Sequence, residues 1–150
     1  MLHIIQDLSD NLMSLIKDDP VRPEIPAEER VNNNSRIFVL KNDQDEPIAV
    51  TCVKFLGSVP TSVSDLAETV VHTNTAVFYT IWSYAAGAGR QLIEQAQAAI
   101  KTQHPEVTTY VTLSPKTDMA RRFHHKNGAV TYREKRRQRQ LPIPIIIDEL

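Results

Sequence analysis

One cysteine, four glycines, almost no net charge and no long apolar run are the first features of this 150-residue chain. The single Cys52 excludes an intrachain disulfide framework and fits a reducing, cytoplasmic compartment. Four glycines and nine prolines are too few for a collagen-like or low-complexity chain. No apolar stretch approaches the roughly 20 residues of a membrane-spanning helix. The first residues lack the basic start and small-residue cleavage site of a secretory signal. With 17 basic and 18 acidic residues, no global pull toward nucleic acid or membrane is expected. An apolar share of 41% excludes wholesale disorder. The expectation is a soluble, cytoplasmic protein with one domain over 1–150.

Residues 2–17 read as an amphipathic helix, because Ile4, Ile5, Leu8, Leu12, Leu15 and Ile16 recur at helical spacing. Residues 18–35 carry Pro20, Pro23 and Pro26 and read as a long loop with a helical turn at Ala27–Arg30. Ile37–Lys41 and Ile48–Leu56 read as a hairpin of strands around a polar turn. A short helix is expected within 61–71 and a strand at Thr75–Trp82. A glycine-bearing turn and a helix over Gly89–Thr102 follow. Val107–Leu113 is a β-branched strand that Ser114-Pro115 is expected to break. Thr117–Asn127 reads as a helix stopped by Gly128, and Ala129–Glu134 as a strand. This order predicts a three-layer α/β (α+β) domain with a mixed, largely antiparallel sheet flanked by helices. The tail, 134–150, is basic and then apolar. Arg133, Arg136, Arg137 and Arg139 form a solvated face or a phosphate or nucleic-acid contact. The run at Pro142–Ile147 is a final strand of the domain, or an edge strand or docking segment that would support a homodimer.

Three places could carry chemistry. Glycines after a strand and before a helix, as in Tyr84–Arg90, let a backbone approach a phosphate, with the helix dipole in support. An ordinary tight turn is the other reading of the same residues. Thr112 and Ser114 are hydroxyls at a strand end, where clefts are often lined. A helix cap or Ser-Pro turn is the other reading of Ser114. His124 and His125 lie about 100° apart on a helix, which suits neither residue to a shared metal. No metal site is expected. A histidine near a helix end is a charge partner for the helix dipole or, with its pKa near 6.5, a proton donor.

Strand, glycine turn, helix, strand and then A-x-x-F-x-x-K-x-G (Ala120, Phe123, Lys126, Gly128) together resemble the acyl-CoA-binding half of the GNAT acetyltransferase superfamily. Four segments in order resemble more specifically the catalytic domain of the malonyl-CoA decarboxylase family, a GNAT branch. They are Pro47–Leu66, Phe78–Ile81, Thr112–Pro115 and Phe123–Ala129, within a resemblance covering about 36–133. The resemblance implies a GNAT-like fold and a CoA thioester, malonyl-CoA or acetyl-CoA, with no further cofactor. It assigns decarboxylation to Ser114 and His124, with Thr112 as a fallback for Ser114. It assigns coenzyme binding to Tyr84, Gly87, Ala88, Gly89, Arg90 and Asn127. Tyr84 stands where a typical GNAT turn carries Arg or Gln, and His124 where many carry a catalytic tyrosine.

Three activities are therefore carried forward: conversion of malonyl-CoA to acetyl-CoA and CO2, acetyl transfer to an amine, and a non-catalytic binding module on the same fold. Acetyl transfer would need a base such as Glu68 or His72.

Overall fold

The computed structural model describes residues 1–60, 62–67, 72–115, 130–135 and 145–150. Its frame is one seven-stranded sheet. The strands are β1 (Leu2–Ile5), β2 (Ser35–Lys41), β3 (Pro47–Leu56), β4 (Thr75–Ser83), β5 (Thr109–Pro115), β6 (Val130–Lys135) and β7 (Ile145–Glu149). Their order across the sheet is β1-β2-β3-β4-β5-β7-β6. Every pairing is antiparallel except β4 with β5. That exception follows from the connection. A helix, α2 (Ala88–Gln103), carries the chain from the end of β4 back to the start of β5, as a parallel neighbour requires. The mixed sheet between helical layers is the architecture expected from the sequence.

The strands are cut by familiar turn chemistry. Asn42 closes the β2–β3 hairpin: its side chain accepts from the Gln44 and Glu46 amides, and Asp45 takes φ +64°. α2 buries Ala88, Leu92, Ile93, Ala96 and Ile100 along one stripe. That stripe packs on Phe38, Leu40, Val53, Phe55 and Phe78 of the sheet. The opposite face carries Ile37, Val39, Val50, Cys52, Val77, Tyr79, Val111 and Leu113. It is covered by the segment between β1 and β2, through Leu12, Met13, Leu15, Ile16 and Ile25.

The structure corrects three expectations. The N-terminal helix is a strand followed by a 3-10 helix at Asn11–Asp18. β1 pairs along β2 from Leu2↔Leu40 to Ile5↔Ile37, which satisfies its backbone on that side. His3 meets Asp10 at 2.7 Å, and Asp10 caps the 3-10 helix through the Leu12 amide. Two different elements had together imitated one helical period. β5 does not stop at Leu113 but runs through Ser114 to end at Pro115, because pairing with β7 continues to Pro115↔Ile145. A proline at the last position of a strand forfeits little of the ladder. Of the readings of the apolar run, the final strand of the domain holds and the edge strand does not, since Ile145–Glu149 is bonded to β5 on one side and β6 on the other. Pairing of an open β7 edge with a second copy is thereby removed. Of the basic run, Arg133 lies in β6, while Arg136, Arg137 and Arg139 lie outside the described residues. The helix expected at Thr117–Asn127 also lies outside them.

Candidate functional site at the parting of β4 and β5

β4 and β5 run side by side from Thr75↔Thr109 to Phe78↔Thr112, and their pairing stops there. Both strands continue, β4 to Ser83 and β5 to Pro115. The cause is local. On the other side of β4 the register steps from Val53↔Phe78 to Cys52↔Thr80. Tyr79 is thus an extra residue, a bulge that bends β4 away from its parallel neighbour. Beyond it, Tyr79–Ser83 keeps β3 on one side and has no strand on the other among the described residues. The strands part at the C-terminal ends of a parallel pair, where α/β proteins commonly hold ligands.

The glycine turn stands at the end of β4 that faces away from the bulge. Gly87 is the residue before α2 and takes φ +77°, the left-handed region that glycine occupies without steric cost. A Cβ at Gly87 would meet nothing within 4 Å, so the backbone there faces open space. No side chain caps α2. The Ala88 amide donates to Ala85, and the ladder starts with Gln91 to Gly87. The Gly89 and Arg90 amides between them have no such partner and lie at the positive end of a 16-residue helix. Ala88 and Gly89 are buried, and the Arg90 side chain lies on the surface beside Glu94. Tyr84 is committed elsewhere. Its hydroxyl donates to Asp18 at 2.9 Å and accepts from Trp82 Nε1 at 3.0 Å, tying the turn to the N-terminal segment.

Thr112 lies at the apex of the parting, opposite Phe78, and is fully buried. Its hydroxyl has no hydrogen-bond partner among the described residues. Ser114 follows two residues on in β5, opposite Ile146. His124 and Asn127 lie outside the described residues, as does Glu68; His72 is exposed. The glycine turn thus follows β4, and Thr112 and Ser114 lie towards the end of β5, on the two strands that part.

The sequence reading missed a third component. Arg22, only 2% exposed, reaches into the parting of the strands. Its Nε donates to the Tyr79 carbonyl at 2.9 Å and an Nη donates to the Leu113 carbonyl at 3.2 Å. One guanidinium therefore bridges β4 and β5 just past the point where their own pairing fails. Asp19 and Arg30 hold the loop that presents it. Asp19 accepts from Arg30 Nη1 at 2.7 Å, from the Thr80 hydroxyl at 2.7 Å, and from the Val21 and Arg22 amides. Arg30 also donates to the Arg22 and Ile25 carbonyls. Burial alone would raise the Asp19 carboxyl, but these donors outweigh it and hold the group below its ordinary range. Burial lowers the Arg22 pKa, and the more distant charges of Glu24 and Asp19 only oppose that. Cys52, beneath Arg30, is pushed up to about 12 by burial and stays a thiol. Arginines among prolines in an aperiodic loop carry no pattern that would mark them as interior.

No protein-family model matches the sequence, and no curated protein matches it. Solved structures do. Malonyl-CoA decarboxylase from Rhodopseudomonas palustris superposes with a TM-score of 0.79 at 19% identity, over 100% of this chain and 59% of that one. The enzyme of the same name from Agrobacterium vitis gives 0.68 at 21% identity, over 95% and 39%. A Desulfovibrio desulfuricans protein described as a GNAT-family acetyltransferase gives 0.67 at 13%, over 100% and 97%. The fold is that of the GNAT proteins. The chain spans well under two thirds of either decarboxylase. No helix among the described residues is long and apolar enough to cross a membrane.

Proposed function

We propose that the cleft between β4 and β5 binds an acyl-CoA thioester and that the protein converts malonyl-CoA to acetyl-CoA and CO2. The parting of the parallel pair at the Tyr79 bulge is the observation that carries this reading. Backbone groups of Tyr79–Ser83 on the open side need partners, and the amides of an extended pantetheine arm supply them. That stretch is about 13 Å long at the usual strand rise. It leads from the apex to the uncapped start of α2, where the pyrophosphate would meet the Gly89 and Arg90 amides. Gly87 and Ala88 permit that close approach. Tyr84 supports the turn through Asp18 and Trp82.

In this reaction the bond between the carboxylate and the α-carbon breaks and CO2 departs. Its electron pair becomes the enolate of the thioester, which then takes a proton at carbon. Ser114 is the proposed hydrogen-bond donor that orients the departing carboxylate. His124 is the proposed proton donor. Thr112 is the reserve hydroxyl, and its partnerless Oγ1 at the apex supports that assignment. Asn127 is proposed to join the coenzyme site. No further cofactor is invoked.

The test is mass spectrometry of the CoA pool after separate incubation with malonyl-CoA and acetyl-CoA. Acetyl-CoA formed from malonyl-CoA above a protein-free control supports the proposal, and Ser114→Ala and His124→Ala should each depress it. Return of intact malonyl-CoA removes the decarboxylase. A second reading, acetyl transfer to an amine, is favoured by one observation: the chain matches a GNAT-family protein over nearly the whole of both chains. It is supported if acetyl-CoA is consumed only when an amine such as a polyamine is added.

A further inference from the structure

We infer that Arg22 selects acyl groups that carry a carboxylate, by receiving that carboxylate at the apex of the cleft. The inference rests on the acyl-CoA reading above and adds the residue that recognises the carboxylate of the acyl group. The buried cluster contains two guanidiniums, Arg22 and Arg30, and one carboxylate, Asp19. Asp19 is paired with the Arg30 side chain; its hydrogen bond to Arg22 goes to the backbone amide, and it acts on the Arg22 guanidinium through charge without forming an ion pair. Of the other acidic groups nearby, Glu24 is exposed and makes no ion pair with Arg22, and the Cys52 thiol and the Tyr79 phenol are held neutral. One positive charge is left without an ion pair among the described residues. No carboxylate among the described residues stands within ion-pair distance of the Arg22 side chain. A buried cation in that condition is expensive, and a bound anion offsets the expense.

The donor count agrees. A guanidinium has five N–H groups. Two of them hold the Tyr79 and Leu113 carbonyls, and the other three have no partner among the described residues. A planar fork fixed by two strand carbonyls presents its remaining donors in a set direction, the geometry a carboxylate matches with two oxygens. Leu113, one of the carbonyls that fixes it, immediately precedes Ser114. Tyr79, the other, is the bulge that opens the cleft. The guanidinium therefore stands where the acyl end of a thioester would arrive once its pyrophosphate is seated on α2.

Charge chemistry also restricts the role. A cation against the carboxylate stabilises the bound substrate more than a transition state that is losing that charge. Arg22 is thus a specificity residue, acting on which acyl group is held and how it is turned, and it is not a source of rate.

The experiment is calorimetric titration of the full chain with two stable CoA thioethers, S-carboxyethyl-CoA and S-carbamoylethyl-CoA. They differ only in a terminal carboxylate against a terminal amide. The carboxylate form should bind at least about tenfold more tightly, as expected for a charge-assisted pair. In Arg22→Met the ratio should fall to about one, and Arg22→Lys should restore part of it. Equal affinities in the unaltered protein, or an undiminished ratio in Arg22→Met, overturn the inference and leave the acyl-CoA reading standing. Binding of neither thioether overturns that reading and the inference with it. If Arg22→Met fails to fold by circular dichroism, Arg22→Gln takes its place: a ratio near one supports the inference, and an undiminished ratio overturns it.

Discussion

The two faces of the sheet are covered in opposite ways. On one face a single regular helix, α2, lays an apolar stripe over Phe38, Leu40, Val53, Phe55 and Phe78. On the other an irregular segment of 3-10 helix, loop and one short α-helical turn, α1 (Ala27–Arg30), does the same work. It buries Asp19, Arg22 and Arg30 along with its apolar side chains. A regular helix satisfies its own backbone and needs only apolar contact. An aperiodic cover leaves amides and carbonyls that charged side chains must answer. Arg30 answers the carbonyls of Arg22 and Ile25, and Asp19 answers the amides of Val21 and Arg22. The apolar face supplies stability of a diffuse kind. The polar face supplies a position, that of the Arg22 guanidinium between the parted strands.

If this contrast is right, the polar cover should fail more sharply than the apolar one. Arg30→Ala leaves the Asp19 carboxylate buried without its ion pair and should cost about 3–5 kcal/mol in denaturant unfolding. Leu92→Ala, in the centre of the α2 stripe, removes a fully buried side chain and should cost about 3 kcal/mol. A larger loss at Leu92 than at Arg30 would reverse the comparison.

Acid should act on the polar face alone. The folded Asp19 carboxyl lies below its unfolded value, near 3.9, so its contribution is complete above that pH. It is lost as pH falls toward the folded value. Thermal melts should therefore show Asp19→Asn less stable than the unaltered protein at neutral pH, with the gap narrowing below about pH 4. A gap that widens in acid would mean the carboxyl is not held ionised.

A smaller effect is expected at the turn. Gly87→Ala meets no atoms but must keep φ +77°, a backbone strain of about 1 kcal/mol. Its melting temperature should fall slightly, and its affinity for CoA should fall if the start of α2 holds the pyrophosphate. The smallest change is chemical. Cys52 is fully buried and its thiol is pushed up to about 12, so iodoacetamide at mildly alkaline pH should label it only after denaturation. Rapid labelling of the folded chain would show that the segment over this face opens easily.

Much of the frame could be read in one dimension. The β-branched residues of Ile48–Leu56, the run of Val, Phe, Tyr, Ile and Trp within Thr75–Trp82 and the stripe of Leu92, Ile93, Ala96 and Ile100 each report an element that must be buried against a partner. Gly87 and Gly89 marked the turn because only a backbone freed of side chains starts a helix that way. The N-terminus misled because Ile4 and Ile5 of a strand fell into phase with Leu12, Leu15 and Ile16 of a 3-10 helix. The placement of Ile145–Glu149 between β5 and β6 was hidden too. Which strand a β-branched run joins is settled by distant partners and not by the run itself.

The candidate site divides along the same line. Residue type and local spacing were enough to single out Thr112, Ser114 and the turn from Tyr84 to Arg90, since strand ends and glycine turns are local events. That β4 and β5 part at Tyr79 is a matter of register between three strands. That Arg22 fills the parting depends on Asp19, Thr80 and Arg30 meeting across 61 residues of chain. Sequence alone determined a mixed α/β frame with a glycine turn and a hydroxyl-bearing strand at one end. Only the tertiary structure decided that a buried guanidinium, with no ion pair among the described residues, stands between β4 and β5, because a charge acquires its environment from what folds around it.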